Sequence, residues 1–252
     1  MKMTKLFTTV FDEEMKARGF KRKAKLYYRL NGEILQGVII KTINPYSIHF
    51  YAAPYWMRNL CDDMPLNKGY WAEFGLNISP GGEAYYREEN ERLNLDYMNI
   101  CFSLAKEHFL PVLDKITDLD SYLENCTPNW DKFGDHKNER VIKILPGSID
   151  PKYSYLNYPI TILWDVWCEL YQHYAFLNYG YRENDLQKGL DLLDEKDALL
   201  PEYINRDRFA QERYITFMTK DGLDKAKEYF TTRRAEMLPR LREELGLDTF
   251  NL

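Results

Sequence analysis

Two β-rich runs, KLYYRL and EILQGVIIKTI, stand either side of a single Asn31-Gly32 dipeptide, and this arrangement constrains the fold more than any other stretch of the chain. Asn-Gly between strands is the strongest short-range signal for a type I′ hairpin, because both turn positions need a positive φ that these residues tolerate. The two runs are therefore expected to pair antiparallel. A further turn at Asn44-Pro45 precedes YSIHFYAAP, expected as a third strand. Ahead of them, Thr4 is a candidate N-cap, and Leu6, Phe7, Val10, Phe11 and Met15 recur at helical spacing until Gly19. Helix followed by three strands predicts a meander with an amphipathic helix over one face.

Residues 54–88 are broken by Pro54, Pro65, Gly69, Pro80 and Gly81-Gly82, which leaves room for one or two strands and long loops. From about Asn90 the helical period returns through Leu93, Met98, Cys101, Leu104 and Phe109, and Pro111 starts or kinks a shorter helix ending near Cys126. Residues 128–158 carry several Pro and Gly and little periodicity, so a linker or irregular segment is expected there. Beyond it, helices are expected over about 160–178, 183–197, 206–219 and 222–245. The predicted fold class is α+β: a short antiparallel sheet covered by helices in domain 1–127, then an all-helical C-terminal bundle in 159–252.

The chain has 252 residues, 45% hydrophobic and 29% charged, which places it among ordinary globular proteins. Its formal net charge of -5 argues against a dedicated polyanion binder. That total hides an asymmetry, because residues 1–32 hold nine Lys/Arg against three acids. Cys61, Cys101, Cys126 and Cys168 fit neither a zinc knuckle nor a CxxC site and are expected to be free thiols. The opening segment meets Asp12, Glu13 and Glu14 before an export signal could develop. Asp165, Glu169 and His173 interrupt the most apolar run, Ile160 to Leu177, so no membrane span is expected and the predicted location is cytoplasmic.

From Leu6 to about Asp120 the chain resembles a bacterial family catalogued only as a domain of unknown function. The shared features are the N-terminal helix closed by GFKRK, the aromatic-Arg strand Tyr27-Tyr28-Arg29, the Asn31-Gly32 turn, the strand containing Gln36, and a helix running into FLPVLDK. The resemblance implies an α+β bacterial protein and supplies no activity, cofactor or catalytic residue. Tyr46 to Pro54 is less polar than the third strand of that pattern.

Four constellations bear on function. Lys21, Arg22, Lys23 and Lys25 interleave with Phe20, Tyr27 and Tyr28 and end at Arg29, a mixture that suits a single-stranded nucleic-acid surface or, more simply, a solvated edge strand. If one strand ran through them, Lys23, Lys25 and Tyr27 would share a face. Asp165, Glu169 and His173, at i, i+4 and i+8, would lie on one stripe of a helix and are weak metal candidates, because no facing helix supplies matching ligands. Tyr55, Trp56 and Met57 belong to a proline-broken segment that is either a docking surface or a lid over the sheet, with the lid favoured. His49, His108, His136 and His173 lie near no nucleophile motif, and the chain has no GxSxG, GxGxxG, Walker A or HExxH sequence. Catalytic residues are therefore unassigned and no cofactor is expected.

The leading functional expectation is a non-enzymatic macromolecule-binding or regulatory protein, adaptor-like or immunity-like, with a protein partner. Two alternatives remain: a metal-assisted hydrolase or nuclease using acids such as Asp62, Asp63, Asp165 and Glu169, and single-stranded nucleic-acid binding through Lys21 to Arg29.

Overall fold

A computed structural model of the chain describes residues 2–41, 47–56, 75–80, 91–126, 141–143, 160–165, 175–197 and 219–246. Helix α1 (Met3–Ala17) buries Met3, Leu6, Phe7, Phe11 and Met15, the stripe that its helical period predicts. Four strands follow, β1 (Lys21–Lys23), β2 (Leu26–Asn31), β3 (Ile34–Lys41) and β4 (Ser47–Pro54), and then β5 (Gly75–Pro80). Helix α2 (Glu91–Leu104) runs through a π-helical segment (Ala105–Phe109) into α3 (Leu110–Lys115), and α4 (Leu119–Cys126) comes next. Pro111 has no N–H to donate, so the helix cannot keep its usual bonding there, and the widened turn just before it accommodates the loss.

Strands β6 (Val141–Lys143) and β7 (Ile160–Asp165) precede a second π-helical segment (Ala175–Arg182), α5 (Leu186–Asp197) and α6 (Lys220–Leu245). The fold is α+β with a helical C-terminal region. Among the described residues the strands form one antiparallel sheet in the order β1-β2-β3-β4-β5-β7-β6.

Register assigns the faces. Tyr27, Val38 and Phe50 lie opposite one another and share a face. Phe7 meets Tyr27 edge-on at 5.4 Å, and Phe109 stacks on Phe50 at 4.8 Å, so α1 and the π-helical segment cover that side. Tyr28 projects to the opposite face, and its hydroxyl donates to Leu245 O at 2.9 Å. Helix α6 covers this second side with a buried stripe of Leu223, Ala226, Phe230, Met237, Leu241 and Leu245. Both faces of β2 and β3 are thus buried.

Three expectations are corrected. The β2–β3 turn consists of Gly32 and Glu33, one residue later than Asn31-Gly32, since Asn31 still pairs with Ile34. Only Gly32 has a positive φ, 59°, so the turn is not type I′. Its placement answers a close approach: a Cβ on Gly32 would lie 2.0 Å from the Thr117 carbonyl oxygen, and Glu33 N–H donates to that oxygen at 2.9 Å. Secondly, the basic run does not continue into β2. Ala24, at a φ of 54°, and Lys25 turn the chain so that β1 folds back on β2, with Lys23 opposite Leu26.

Thirdly, the helix expected over 160–178 begins as strand. Ile160, Thr161 and Ile162 are β-branched, and β7 fills the open edge of β5, pairing Ile162 with Ile78 and Asp165 with Gly75. Strand β6 likewise falls within the stretch expected as linker. The helices expected over 183–197 and 222–245 are present as α5 and α6, whereas 206–218 lies outside the described residues.

Gly32→Ala is expected to destabilise by on the order of 3 kcal/mol, combining a left-handed φ with a steric clash. Gly19→Ala, at a φ of 79° but with nothing within 4 Å of the new Cβ, should cost only about 1 kcal/mol. Urea unfolding of the two variants checks the contrast.

Candidate functional site

The basic run is exposed at Lys21, Arg22 and Lys23 and half-buried at Lys25. Two of its cations also fasten neighbouring helices. Lys21 Nζ donates to Gly246 O, at the end of α6, where Gly246 is left-handed and its N–H returns to Arg242 O and Leu241 O. A cation on these last carbonyls complements the negative end of the helix dipole. Arg22 Nε lies 3.1 Å from Asp12 Oδ1 on α1. Asp12 also accepts from Lys16 and, at 3.2 Å, from the Tyr27 hydroxyl. The Lys16 hydrogen bond is the main influence holding the Asp12 carboxyl below its ordinary range.

Arg29 is not a surface cation. Its guanidinium, 12% exposed, donates to Gln36 Oε1 at 2.8 Å, Arg18 O at 2.6 Å and Asp114 Oδ1 at 2.6 Å, and lies 4.3 Å over the Phe20 ring. Gln36 is fully buried and donates to Leu113 O at 2.6 Å and Ile116 O at 2.8 Å. Arg18 pairs with Asp114 and Glu14, and Lys106 reaches Glu14 at 3.1 Å. One polar network therefore ties α1, β2, β3 and the end of α3 together. Tyr27, which the sequence groups with the basic run as a stacking surface, is fully buried against α1.

Tyr55 and Trp56 are buried as well, which accords with a lid and not a docking surface; Met57 lies outside the described residues. Trp56 Nε1 donates to Glu33 Oε2 at 3.1 Å, and its ring contacts Phe230 at 5.1 Å and Tyr181 at 5.6 Å. The Arg234 guanidinium lies 4.5 Å over the same ring and 3.4 Å from Glu33 Oε2. Leu119 N–H donates to the other Glu33 oxygen at 2.9 Å. Glu33 thus joins the hairpin to the residues that follow β4, to α4 and to α6. Sequence reasoning misses Glu33, Asp12 and Asp114 because most of their partners are distant along the chain; Gln36, alone among apolar neighbours, is the visible signal.

Of the acid–histidine stripe, Asp165 lies at the end of β7 and not on a helix, while Glu169 and His173 are outside the described residues, as are Asp62 and Asp63. Among the described residues no group of three His, Cys, Asp or Glu is placed to hold a metal ion. His49, stacked on Tyr51 at 5.7 Å, is pushed down to about 3 by burial and by nearby Lys41. A general base works best near the operating pH, so this imidazole is poorly tuned for that role. Burial pushes the Cys101 thiol up to about 12, away from nucleophilic use. No helix of the described residues is long and apolar enough to cross a membrane.

No protein-family model, curated protein or solved structure matches the chain.

Gln36→Leu would take the acceptor from the Arg29 Nε–H and one of two donors from each of the Leu113 and Ile116 carbonyls, which keep the Ile116 N–H and Asn31 Nδ2, and is expected to cost about 2 kcal/mol. Arg29→Lys should fall well short of wild type, because an ammonium cannot reproduce the planar three-way fork. Thermal unfolding of both variants tests this. Acid should also weaken the fold. The Asp118 carboxyl is held low chiefly by Ser121, and the Glu14 carboxyl is raised by burial but lowered further by Arg18 and Lys106. With Asp12, these depressed groups stabilise the protein above the unfolded carboxyl range, and that contribution is lost as pH falls below about 4. Urea midpoints should therefore be level from about pH 7 to 5 and drop below about 4, with a smaller drop in Asp12→Asn.

Proposed function

We propose that the chain is a non-enzymatic protein-binding module, adaptor-like or regulatory, whose partner meets it at the outer edge of β1. The supporting observation is the composition of that edge: among the described residues β1 ends the strand order, and Lys21, Arg22 and Lys23 are all exposed on a chain whose net charge is -5. Complementary charge of this kind selects and steers a partner more than it adds raw affinity.

The aromatic side chains favour an acidic protein segment over a single nucleic-acid strand. Phe20, Tyr27 and Tyr28, interleaved with the cations in sequence, are all buried. A nucleic-acid strand on this edge would forgo base stacking worth about 1–3 kcal/mol per base. An acidic polypeptide needs cations, and Lys21, Arg22 and Lys23 are exposed.

Fluorescence anisotropy with a labelled glutamate-rich peptide and a single-stranded oligonucleotide of equal charge tests the proposal. The peptide is expected to bind at low salt, to weaken as salt rises, and to lose about tenfold in affinity with Lys23→Glu. An oligonucleotide bound tenfold more tightly than the peptide would overturn the assignment in favour of nucleic acid.

A further inference from the structure

Asn31-Gly32 is the one Asn-Gly dipeptide in the chain, and this is the pairing at which a polypeptide deamidates most readily, because glycine has no side chain to hinder its own nitrogen. The Gly32 nitrogen attacks Asn31 Cγ. A succinimide ring closes as the N–Cγ bond forms and the Cγ–Nδ2 bond breaks, and Nδ2 leaves as ammonia with the Gly32 amide hydrogen as its third. One water then opens the ring at either carbonyl. The product is an aspartate, or an isoaspartate whose main chain runs through the former side chain. Solvent water is the only co-reactant.

The fold holds this dipeptide away from that reaction. Ring closure needs Gly32 N and Asn31 Cβ on the same side of the Asn31 Cα–C bond. Asn31 instead ends β2 as a strand residue opposite Ile34, and an extended ψ of about +135° turns that nitrogen away. The carboxamide is tethered as well: Nδ2 donates to Ile116 O at 3.1 Å and to Asp114 O at 3.4 Å, where α3 ends. Gly32 lies directly against the Thr117 carbonyl, and Glu33 N–H donates to that oxygen at 2.9 Å. The reaction therefore requires a local opening in which the hairpin parts from the α3–α4 connection.

The product does not fit the place that the reactant leaves. A carboxylate has no donor for Ile116 O or Asp114 O, and it sets negative oxygen against both carbonyls. Isoaspartate also lengthens the main chain by a methylene, so the register opposite Ile34 and the fit of Gly32 against Thr117 are not kept together.

We propose that Asn31 is a deamidation site guarded by the fold: it reacts when the hairpin leaves the α3–α4 connection, and the change then keeps the two apart. A chemical step that follows opening and blocks return converts reversible unfolding into permanent loss. Asn31 thereby records the time the chain has spent open.

The test ages the wild-type chain in mildly alkaline native buffer beside a synthetic peptide of its tryptic fragment Leu30–Lys41, in which Asn31 is the only asparagine. Mass spectrometry of the digest reads the mass gain, and fragment ions separate Asn31 from Gln36. Opening is fast beside deamidation, so the native rate follows the open population and is expected to be at least about tenfold below that of the peptide. A native rate closer to the peptide's than this would overturn the guarding. Asn31→Asp carries the aspartate product from the start, and is expected to lower the urea midpoint or to prevent folding. An unchanged midpoint would overturn the block on return, while the wild-type rate stands whether or not that variant folds.

Discussion

A carboxamide buried in the middle of an apolar strand must find partners for both of its ends, and Gln36 finds them in the carbonyls that close α3 and in the guanidinium of Arg29. Orphaned buried polar groups are expensive, so this requirement restricts where α3 can end against the sheet. Arg29 carries the restriction onward to Asp114 and to the C-terminal end of α1 through Arg18 O. The hairpin then meets the α3–α4 connection closely enough that Gly32 has no space for a side chain, and Glu33 reaches from the same turn to Trp56 just after β4, to α4 and to α6. The hydrophobic layers supply most of the drive to collapse, while these polar contacts select one alignment of helix on sheet.

The parts of the fold legible in the sequence are those whose signals are local. The helical period of α1, the alternation of β2 to β4 and the breaker residues between them need no knowledge of the rest of the molecule. The hairpin turn falls one residue later than Asn-Gly predicts, because that dipeptide speaks only for its own conformational preferences, whereas the observed turn answers to a carbonyl from Thr117. Strand β7 is legible only as apolar. A run such as Ile160 to Leu177 satisfies helix and buried strand alike, and the arbiter is the vacant edge of β5, which no local pattern reveals.

The candidate site shows the same limit. Lys21, Arg22 and Arg29 form one patch in sequence, yet they serve a helix terminus, an aspartate on α1 and a buried network respectively. Arg29 and Asp114 are 85 positions apart, so nothing near Arg29 in the chain reveals that it turns inward. Arg29, Gln36 and Asp114 of the FLPVLDK stretch, far apart in the chain, converge in space on this network.

The strand order has a consequence for how the molecule is made. Strands β1 to β4 are joined in succession, so each can pair as soon as it leaves the ribosome. The partner of β5 on its far side is β7, which lies beyond the whole stretch between Pro80 and Ile160. During synthesis β5 therefore waits with one edge unsatisfied while α2 to α4 and β6 emerge. Closing so long a loop is slow, and an open edge is where chains recruit strangers. Translation speed through this interval, and whatever chaperone is at hand, therefore bear on the yield of folded protein.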